Sequence, residues 1–172
     1  AVLMTDYALH AMWLVRGVDA YFVATESMAR EMAARGFAPQ TVHAAGIPIT
    51  CADEGLTRQT AREMVGLSEE LPTLLLMGGG LGLGGIDRTL AALATVERRL
   101  SILVAAGRNA ALAAHARRMA ETSRHDIHVF PYTDAIPALM CAADLLITKP
   151  GGLTLSEAFA AGLPLLLHDP IP

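Results

Sequence analysis

Residues 73–85 read TLLLMGGGLGLGG, and this stretch decides the fold class. An uncharged run typical of a buried strand is followed by six glycines in eight positions, and then by a helical pattern that starts at Ile86. A strand that passes through a short turn into a helix is the repeating unit of a parallel α/β sheet. The stretch therefore predicts one strand of such a sheet, with the glycines where its carboxyl end meets the helix.

The glycines predict a binding site for a phosphate group. In an open α/β sheet, ligands bind beyond the carboxyl ends of the strands. Glycine lets the main chain come close to an anion, and the following helix N-terminus adds free N–H groups and a favourable dipole. The alternative is a turn whose glycines serve only the tight packing of the strand against the helix.

The sequence on both sides repeats this alternation of apolar runs and helical patterns. Towards the C-terminus, strands are predicted at 100–106, 127–130, 145–148 and 165–168, and helical stripes at 86–96 and 112–119. Towards the N-terminus, strands are predicted at 2–5, 20–25 and 41–45, and helices at 7–15, 27–35 and 57–65. The segment Gly-Ile-Pro-Ile at 46–49 breaks the pattern, so we place a domain boundary between residues 49 and 50.

The composition excludes several classes of protein. The 172 residues carry 13 Lys and Arg against 17 Asp and Glu, a net charge of −4, and 53% are apolar, which excludes disorder. No apolar run is long enough to span a bilayer, and the acidic balance argues against a nucleic-acid partner. Cys51 and Cys141 lie far apart without metal-ligand spacing, so we expect a reduced cytoplasmic protein without a metal site. Both chain ends lie beside apolar runs, and we expect a fragment.

A second glycine turn lies at 148–157, which read TKPGGLTLSE. Lys149 can neutralise a phosphate, and the amides after Gly151 can bind its oxygens. Glu157 can accept two hydrogen bonds from a ribose diol, or it can close a capping box on Thr154. Spacing alone leaves these two roles of Glu157 equally open. Two glycine turns at neighbouring strand ends suit a diphosphate that carries one nucleoside.

Two other nucleotide classes compete with that interpretation. Gly80, Gly82 and Gly85 satisfy the spacing of the dinucleotide fingerprint. The acidic residue that the fingerprint expects at the end of the next strand is missing, since the sequence there is Ala-Ala-Gly-Arg-Asn at 105–109. Arg108 can instead hold a 2′-phosphate, which keeps an NADP-dependent oxidoreductase open. A non-catalytic nucleotide-binding module is a further alternative. No Lys-Ser or Lys-Thr pair follows the glycines, so a P-loop ATPase is excluded.

Four motifs resemble the diacylglycerol glycosyltransferases. They are Thr-Asp-Tyr at 5–7 with His10 and Trp13, the run from Val18 to Thr25, the segment 46–49, and Ile-Thr-Lys-Pro-Gly-Gly-Leu-Thr-Leu-Ser-Glu-Ala at 147–158. The family includes processive diacylglycerol glucosyltransferases and monogalactosyldiacylglycerol synthases, of the family 28 type. The resemblance implies an α/β protein of the GT-B fold, in which two Rossmann-like domains with parallel sheets face each other, here incomplete at both ends. Residues 1–49 would end the acceptor-side domain, and 50–172 would form most of the donor domain.

The resemblance also implies a site for a UDP-sugar, either UDP-glucose or UDP-galactose. The glycine loop would face the diphosphate, the loop after Val129 would lie against the uracil, and Glu157 would bind the ribose hydroxyls. The predicted donor-binding residues are Gly79, Gly80, Leu81, Gly82, Arg108, Phe130, Tyr132, Lys149, Gly151, Gly152, Thr154 and Glu157. No cofactor and no metal are expected.

The implied reaction is an inverting transfer of the sugar to diacylglycerol, at the inner face of the membrane. Asp6, at the end of a strand, and His10, one helical turn later, are candidate catalytic residues. The simpler interpretation of His10 is a polar brace within the domain. The family's usual base and its Gly-Gln-Glu sugar contact are absent from this sequence, so we expect the fragment to be inactive.

Trp13 is expected in the core and His125 at the surface. Exposed edge strands would favour a homodimer or a swapped assembly.

Overall fold

The computed structural model describes residues 1–50, 55–67, 71–81 and 85–168. Gly82 of the predicted donor set, and Cys51, lie outside the described residues. The chain forms two compact units, of which the first comprises Ala1–Ile49 with Gly151–Ser156 and the second comprises Thr50–Pro150 with Glu157–Pro172. The first unit thus includes a segment that the sequence pattern assigns to the second domain.

The first unit contains a three-stranded parallel sheet of β1 (Val2–Leu3), β2 (Tyr21–Val23) and β3 (Val42–Ala44), in that order. Helix α1 (Glu26–Ala34) crosses over between β2 and β3, and the Thr25 side chain caps it by accepting a hydrogen bond from the Met28 amide. Its buried residues Met28 and Met32 pack against the sheet in the core of this unit. The three strands predicted in this region are present with shorter bounds, and the helix predicted at 27–35 is present one residue earlier, at 26–34.

The predicted helix at 7–15 is wrong. Only a 3-10 turn forms there, at Ala11–Trp13, and it buries no residue. Leu9 and Leu14 do pack on the core, but a spacing of five residues does not fit one face of an α-helix. A short helix without a buried stripe is marginal in water. Trp13, which we expected in the core, is 45% exposed.

The second unit contains a five-stranded parallel sheet, flanked by helices on both faces. Its elements in chain order are α2 (Arg58–Met64), β4 (Thr73–Met77), α3 (Ile86–Leu93), β5 (Ser101–Gly107), α4 (Ala110–Thr122), β6 (Asp126–Pro131), α5 (Ile136–Ala142), β7 (Leu145–Thr148), α6 (Gly152–Ala160) and β8 (Leu165–Leu167). The first five residues of α6 belong to the other unit.

The strand order β6-β5-β4-β7-β8 places a topological switch point between β4 and β7. The chain moves outward from β4 through β5 to β6, and then returns to the opposite side of β4 to form β7 and β8. At such a reversal the two connections leave in opposite directions, and the crevice between them is where open α/β sheets bind ligands. Both glycine turns start from these two strands.

Alternate residues of the strands face two separate cores, one on each side of this sheet. Leu75, Leu103 and Leu146 face α2 and α5, whereas Leu76, Ile102 and Val104 face α3 and α4. Strands buried on both faces have continuous apolar sequences, which explains why their positions were predictable. The predicted strands of this unit are confirmed to within one residue at each end.

Two details of this unit differ from the sequence prediction. Helix α5 was not predicted, because it is only seven residues long and has a proline in its first turn. His125, expected at the surface, is buried, and its Nε2 lies 2.9 Å from the carbonyl oxygen of Leu93 at the end of α3. None of the helices in the described part of the chain combines the length and the hydrophobicity that a membrane span requires.

Candidate nucleotide site

The glycine loop after β4 and the turn after β7 lie side by side at the switch point. Gly79 has a left-handed φ of +70°, and a Cβ built on it would lie 3.6 Å from Cε of Lys149. The strand ends are joined by Thr148, whose buried Oγ1 donates to the carbonyl oxygen of Met77 at 2.9 Å. The structure therefore brings together the glycine loop and the cation that the sequence predicted separately.

The end of β5 forms a second wall of the glycine loop. The Arg108 amide donates to the carbonyl oxygen of Gly80 at 3.0 Å. The Arg108 guanidinium carbon lies 4.9 Å from the centre of the Tyr132 ring, in a cation–π arrangement. Both of these predicted donor residues thus lie at the carboxyl edge of the sheet, and the guanidinium covers one face of the tyrosine ring.

Phe130 does not occupy the loop in which we expected it. It lies within β6, opposite Ala105 of β5, and its partly buried ring packs against the core. The strand continues to Pro131, so only Tyr132 of the predicted aromatic pair reaches the connection that follows. Tyr132 is 58% exposed, which leaves it accessible to a ligand.

Helix α6 begins earlier than the proposed capping box requires. Its first helical hydrogen bond runs from the Leu155 amide to the carbonyl oxygen of Gly151. Thr154 is therefore the third residue of the helix and cannot be its N-cap, so the capping-box interpretation is wrong. The helix ends at Ala160, and Gly162 just beyond it has the left-handed φ of +62° that is typical of a helix C-terminus.

Gly152 is a glycine because main chain packs on it within the first unit. A Cβ at this position would lie 2.0 Å from the carbonyl oxygen of Thr5 and 3.1 Å from Cδ1 of Ile47. Close by, the Tyr7 hydroxyl is 2.8 Å from Oγ of Ser156, which also bonds to the carbonyl oxygen of Gly152 at 2.8 Å. Sequence reasoning missed this contact, although both motifs had been singled out. By contrast, nothing lies within 4 Å of a Cβ at Gly151.

The Glu157 carboxyl group is half-buried, and this burial raises its pKa above the ordinary value. The carboxyl oxygens form no hydrogen bond or ion pair with any described residue. Because the capping box is absent, nothing in the described part of the chain uses its acceptor oxygens. A partly desolvated carboxylate without a partner is costly, and such groups are concentrated at functional sites.

Asp6 and His10 are both exposed and are not related by a helical turn. Asp6 lies three residues beyond the end of β1. His10 is the N-cap of the 3-10 turn, where its Nδ1 accepts a hydrogen bond from the Met12 amide at 3.4 Å. This local role is the polar brace that we kept as the alternative for His10. No group of three or more His, Cys, Asp or Glu side chains in the described ranges is arranged to hold a metal ion.

Solved structures with the same fold are glycosyltransferases. MurG of Acinetobacter baumannii matches with a TM-score of 0.63 and 21% identity, over 99% of this chain and 45% of that chain. WaaG, a glycosyltransferase involved in lipopolysaccharide biosynthesis, matches with a TM-score of 0.55 and 23% identity, over 88% of this chain and 45% of that chain. The α/β architecture with parallel sheets is thus that of the GT-B glycosyltransferases.

The family model for the glycosyltransferase family 28 C-terminal domain matches residues 73–168, and the chain belongs to this family. The model for monogalactosyldiacylglycerol synthase matches residues 1–49. Among curated proteins, the processive diacylglycerol beta-glucosyltransferases of Bacillus pumilus and Bacillus subtilis are 33% and 32% identical over 98% of this chain. The chain spans 44% of the length of these relatives. The resemblance that the motifs indicated is confirmed.

Proposed function

We propose that this chain forms the donor-binding part, and a smaller acceptor-side part, of an inverting glycosyltransferase that transfers glucose or galactose from a UDP-sugar to diacylglycerol. In this proposal residues 1–49 belong to the acceptor side and residues 50–172 to the donor side. The observation that carries it is the junction of the glycine loop and Lys149 at the switch point. Glu157, whose carboxyl group has no partner among the described residues, lies in the helix that follows Lys149.

The proposed donor contacts follow from the chemistry of a nucleoside diphosphate. The amides of the loop at Gly79–Leu81 and the Lys149 ammonium face a diphosphate, because free N–H groups and a fixed cation both stabilise anions. The Glu157 carboxylate accepts hydrogen bonds from the ribose diol, and these charge-assisted bonds repay its partial desolvation. Tyr132 supplies a ring for the uracil once the Arg108 guanidinium moves off its face. Gly151 and Thr154, at the start of α6, support the phosphate contacts.

The proposed chemistry needs no metal and no cofactor. A base takes the proton from the acceptor hydroxyl, whose oxygen attacks the anomeric carbon of the sugar as the bond to the diphosphate breaks. The glycine-loop amides and Lys149 stabilise the negative charge that develops on the departing UDP. Asp6 and His10 remain the candidates for the base on the acceptor side. We assign this step to the whole enzyme and not to this chain alone, because the relatives are more than twice as long as this chain.

The acceptor and the place of action are proposed from the relatives. The names of the curated relatives specify a diacylglycerol beta-glucosyltransferase, and the family model of the first segment specifies a galactolipid synthase. Diacylglycerol is a membrane lipid, so we propose a peripheral enzyme at the inner face of the membrane. The NADP-dependent oxidoreductase loses its basis, because the family is one of glycosyltransferases.

Self-association is a further part of the proposal. Among the described residues, β1 and β8 each pair on one side only within their sheets, and both carry exposed leucines, such as Leu3 and Leu166. Unpaired apolar edges favour pairing with another copy. Light scattering on the 172-residue chain should give the mass of a dimer, and a monomer at all concentrations would contradict this part of the proposal.

Calorimetric titration of the chain with UDP and with NADPH tests the donor assignment. UDP should bind saturably, and excess NADPH should not compete with it. ADP is the matched control for the base, since it carries the same diphosphate and ribose, and it should bind more weakly than UDP. Absence of UDP binding at millimolar concentration, or equal binding of NADPH, would overturn the proposal.

A further inference from the structure

We propose that Gly107 is a positioning residue for the glycine loop, because it holds the peptides of Gly79 to Leu81 with their N–H groups turned towards the diphosphate. The direction of these N–H groups follows from the fold, whereas the diphosphate as their ligand rests on the proposed function. Gly107 itself touches no substrate in this proposal. It acts through the loop on the neighbouring strand.

The steric contact is the first observation. Gly107 has a left-handed φ of +57°, and a Cβ built on it would lie 2.7 Å from the carbonyl oxygen of Gly80 and 3.0 Å from that of Gly79. These neighbours are main-chain atoms, which cannot move aside as the end of a flexible side chain can. Only glycine therefore lets the loop come this close to the end of β5.

The orientation of the loop peptides is the second observation. The carbonyl oxygens of Gly79 and Gly80 both lie on the side of Gly107, and that of Gly80 accepts the Arg108 amide at 3.0 Å. The C=O and N–H of a trans peptide point in opposite directions, and no cis peptide is present in the described residues. The amides of Gly80 and Leu81 must therefore both point away from β5.

Two successive amides that point to one side form a concavity that binds anions. Among the described residues, neither of these two amides has a hydrogen-bond partner. The side chain of Lys149 passes beside Gly79 in the same loop, which adds a cation to this part of the site. The loop thus presents its N–H groups as an anion site does before any ligand is present. The contact with Gly107 fixes this orientation of the peptides.

A bulge in the sheet explains how Gly107 reaches the loop. The β5–β6 ladder pairs Ala105 with Phe130 and Gly107 with Pro131, so two steps along β5 match one step along β6. An extra residue of this kind bends a strand and turns its end, often beside a binding site. Here the bend places Gly107 against the glycine loop, while the next residue, Arg108, extends to Tyr132.

The test compares Gly107→Ala with Gly66→Ala in the 172-residue chain. Gly66 has a similar left-handed φ of +71° but nothing within 4 Å of its Cβ position, so it controls for backbone strain alone. Gly107→Ala should shift the amide resonances of Gly80 and Leu81 and weaken UDP binding by about tenfold or more. Gly66→Ala should leave both readouts at the wild-type values, even if it lowers the melting temperature as much.

Unchanged UDP affinity and unmoved Gly80 and Leu81 resonances in Gly107→Ala would overturn the proposal. If that variant does not fold, the orientation of the loop is tested in the wild-type chain by NMR. We expect a through-hydrogen-bond coupling between the Arg108 nitrogen and the Gly80 carbonyl carbon. Absence of this coupling would contradict the orientation we infer. If the wild-type chain does not bind UDP, the proposed function is wrong. In that case a diphosphate is not the ligand of these amides either. The resonance shifts and the coupling still decide whether Gly107 orients the loop.

Discussion

The side chain of Lys149 lies beside Gly79, with its Cε 3.6 Å from the position that a Cβ on Gly79 would occupy. These residues belong to two glycine turns that are far apart in sequence and that meet because β4 and β7 are neighbours in the sheet. A strand reversal at this point makes their junction the natural ligand crevice. The predictions below begin from this junction.

Removal of the Lys149 charge should weaken UDP binding without unfolding the chain. Lys149→Met keeps most of the stem that packs beside Gly79 and deletes only the ammonium, so we expect UDP affinity to fall by about tenfold, as for the loss of one charge-assisted contact. Calorimetry gives the affinity, and the melting temperature should stay within about 2 °C of wild type, as for a surface substitution. Equal affinity in the variant would contradict a phosphate contact.

Lys149 is the only lysine in the sequence, which allows a direct observation of the wild-type residue. Reductive methylation with ¹³C-formaldehyde should give a single dimethyl-lysine signal, which differs in position from the modified N-terminus. That signal should move on titration with UDP and should not move with uridine, which lacks the diphosphate. Equal movement with both ligands would mean that Lys149 does not sense the phosphates.

UDP binding should strengthen as the pH rises through the raised pKa of Glu157. Burial raises this pKa, so the carboxyl keeps its proton to a higher pH than usual, whereas the ribose diol donates its strongest hydrogen bonds to the ionised form. Binding should therefore release a proton in this pH range, measurable by calorimetry in two buffers of different ionisation enthalpy. Glu157→Gln is isosteric and should remove both the proton release and this part of the pH dependence.

The same carboxyl group should affect stability in the opposite direction. Because its folded-state pKa lies above the unfolded value, the folded chain binds more protons between the two values, and the free energy of unfolding falls as the pH rises through that window. The difference between wild type and Glu157→Gln in urea denaturation should therefore change across the window and level off above it. A constant difference would show that Glu157 does not titrate there.

Alanine should be tolerated at Gly151 but not at Gly152. A Cβ at Gly152 would lie 2.0 Å from the main-chain oxygen of Thr5, whereas nothing lies within 4 Å of one at Gly151. We expect Gly152→Ala to lower the free energy of unfolding by about 3 kcal/mol, at the upper end of overpacking, and Gly151→Ala to change it by under about 0.5 kcal/mol. Similar urea midpoints for the two variants would contradict the packing of Thr5 on Gly152.

Much of the second unit was predictable because burial on both faces of a parallel sheet leaves a direct trace in the sequence. The strands at 73–77 and 145–148 were predicted with their observed bounds, and the glycines after the first of them marked the loop. The absence of a helix at 7–15 was not predictable in this way, because the segment has many apolar residues but only Leu9 and Leu14 pack on the core. Composition alone does not reveal which apolar side chains pack in the core.

The site was predictable in its parts but not in its connections. Gly79, Lys149 and Glu157 were found from glycine turns and charge at strand ends, yet the role of Gly107 depends on a loop from another strand. The capping-box prediction failed because α6 begins two residues before Thr154, at Gly152, against which the main chain of the distant residue Thr5 packs. Contacts between segments distant in sequence have no local pattern that a single sequence can show.

The most direct test of the central claim is a titration of the ¹⁵N-labelled 172-residue chain with UDP, followed through its amide resonances. The account predicts saturable shifts centred on Gly79, Gly80, Leu81 and Glu157, with smaller shifts at Arg108 and Tyr132. Shifts that stay absent up to millimolar UDP, or that fall away from the carboxyl ends of β4 and β7, would contradict it.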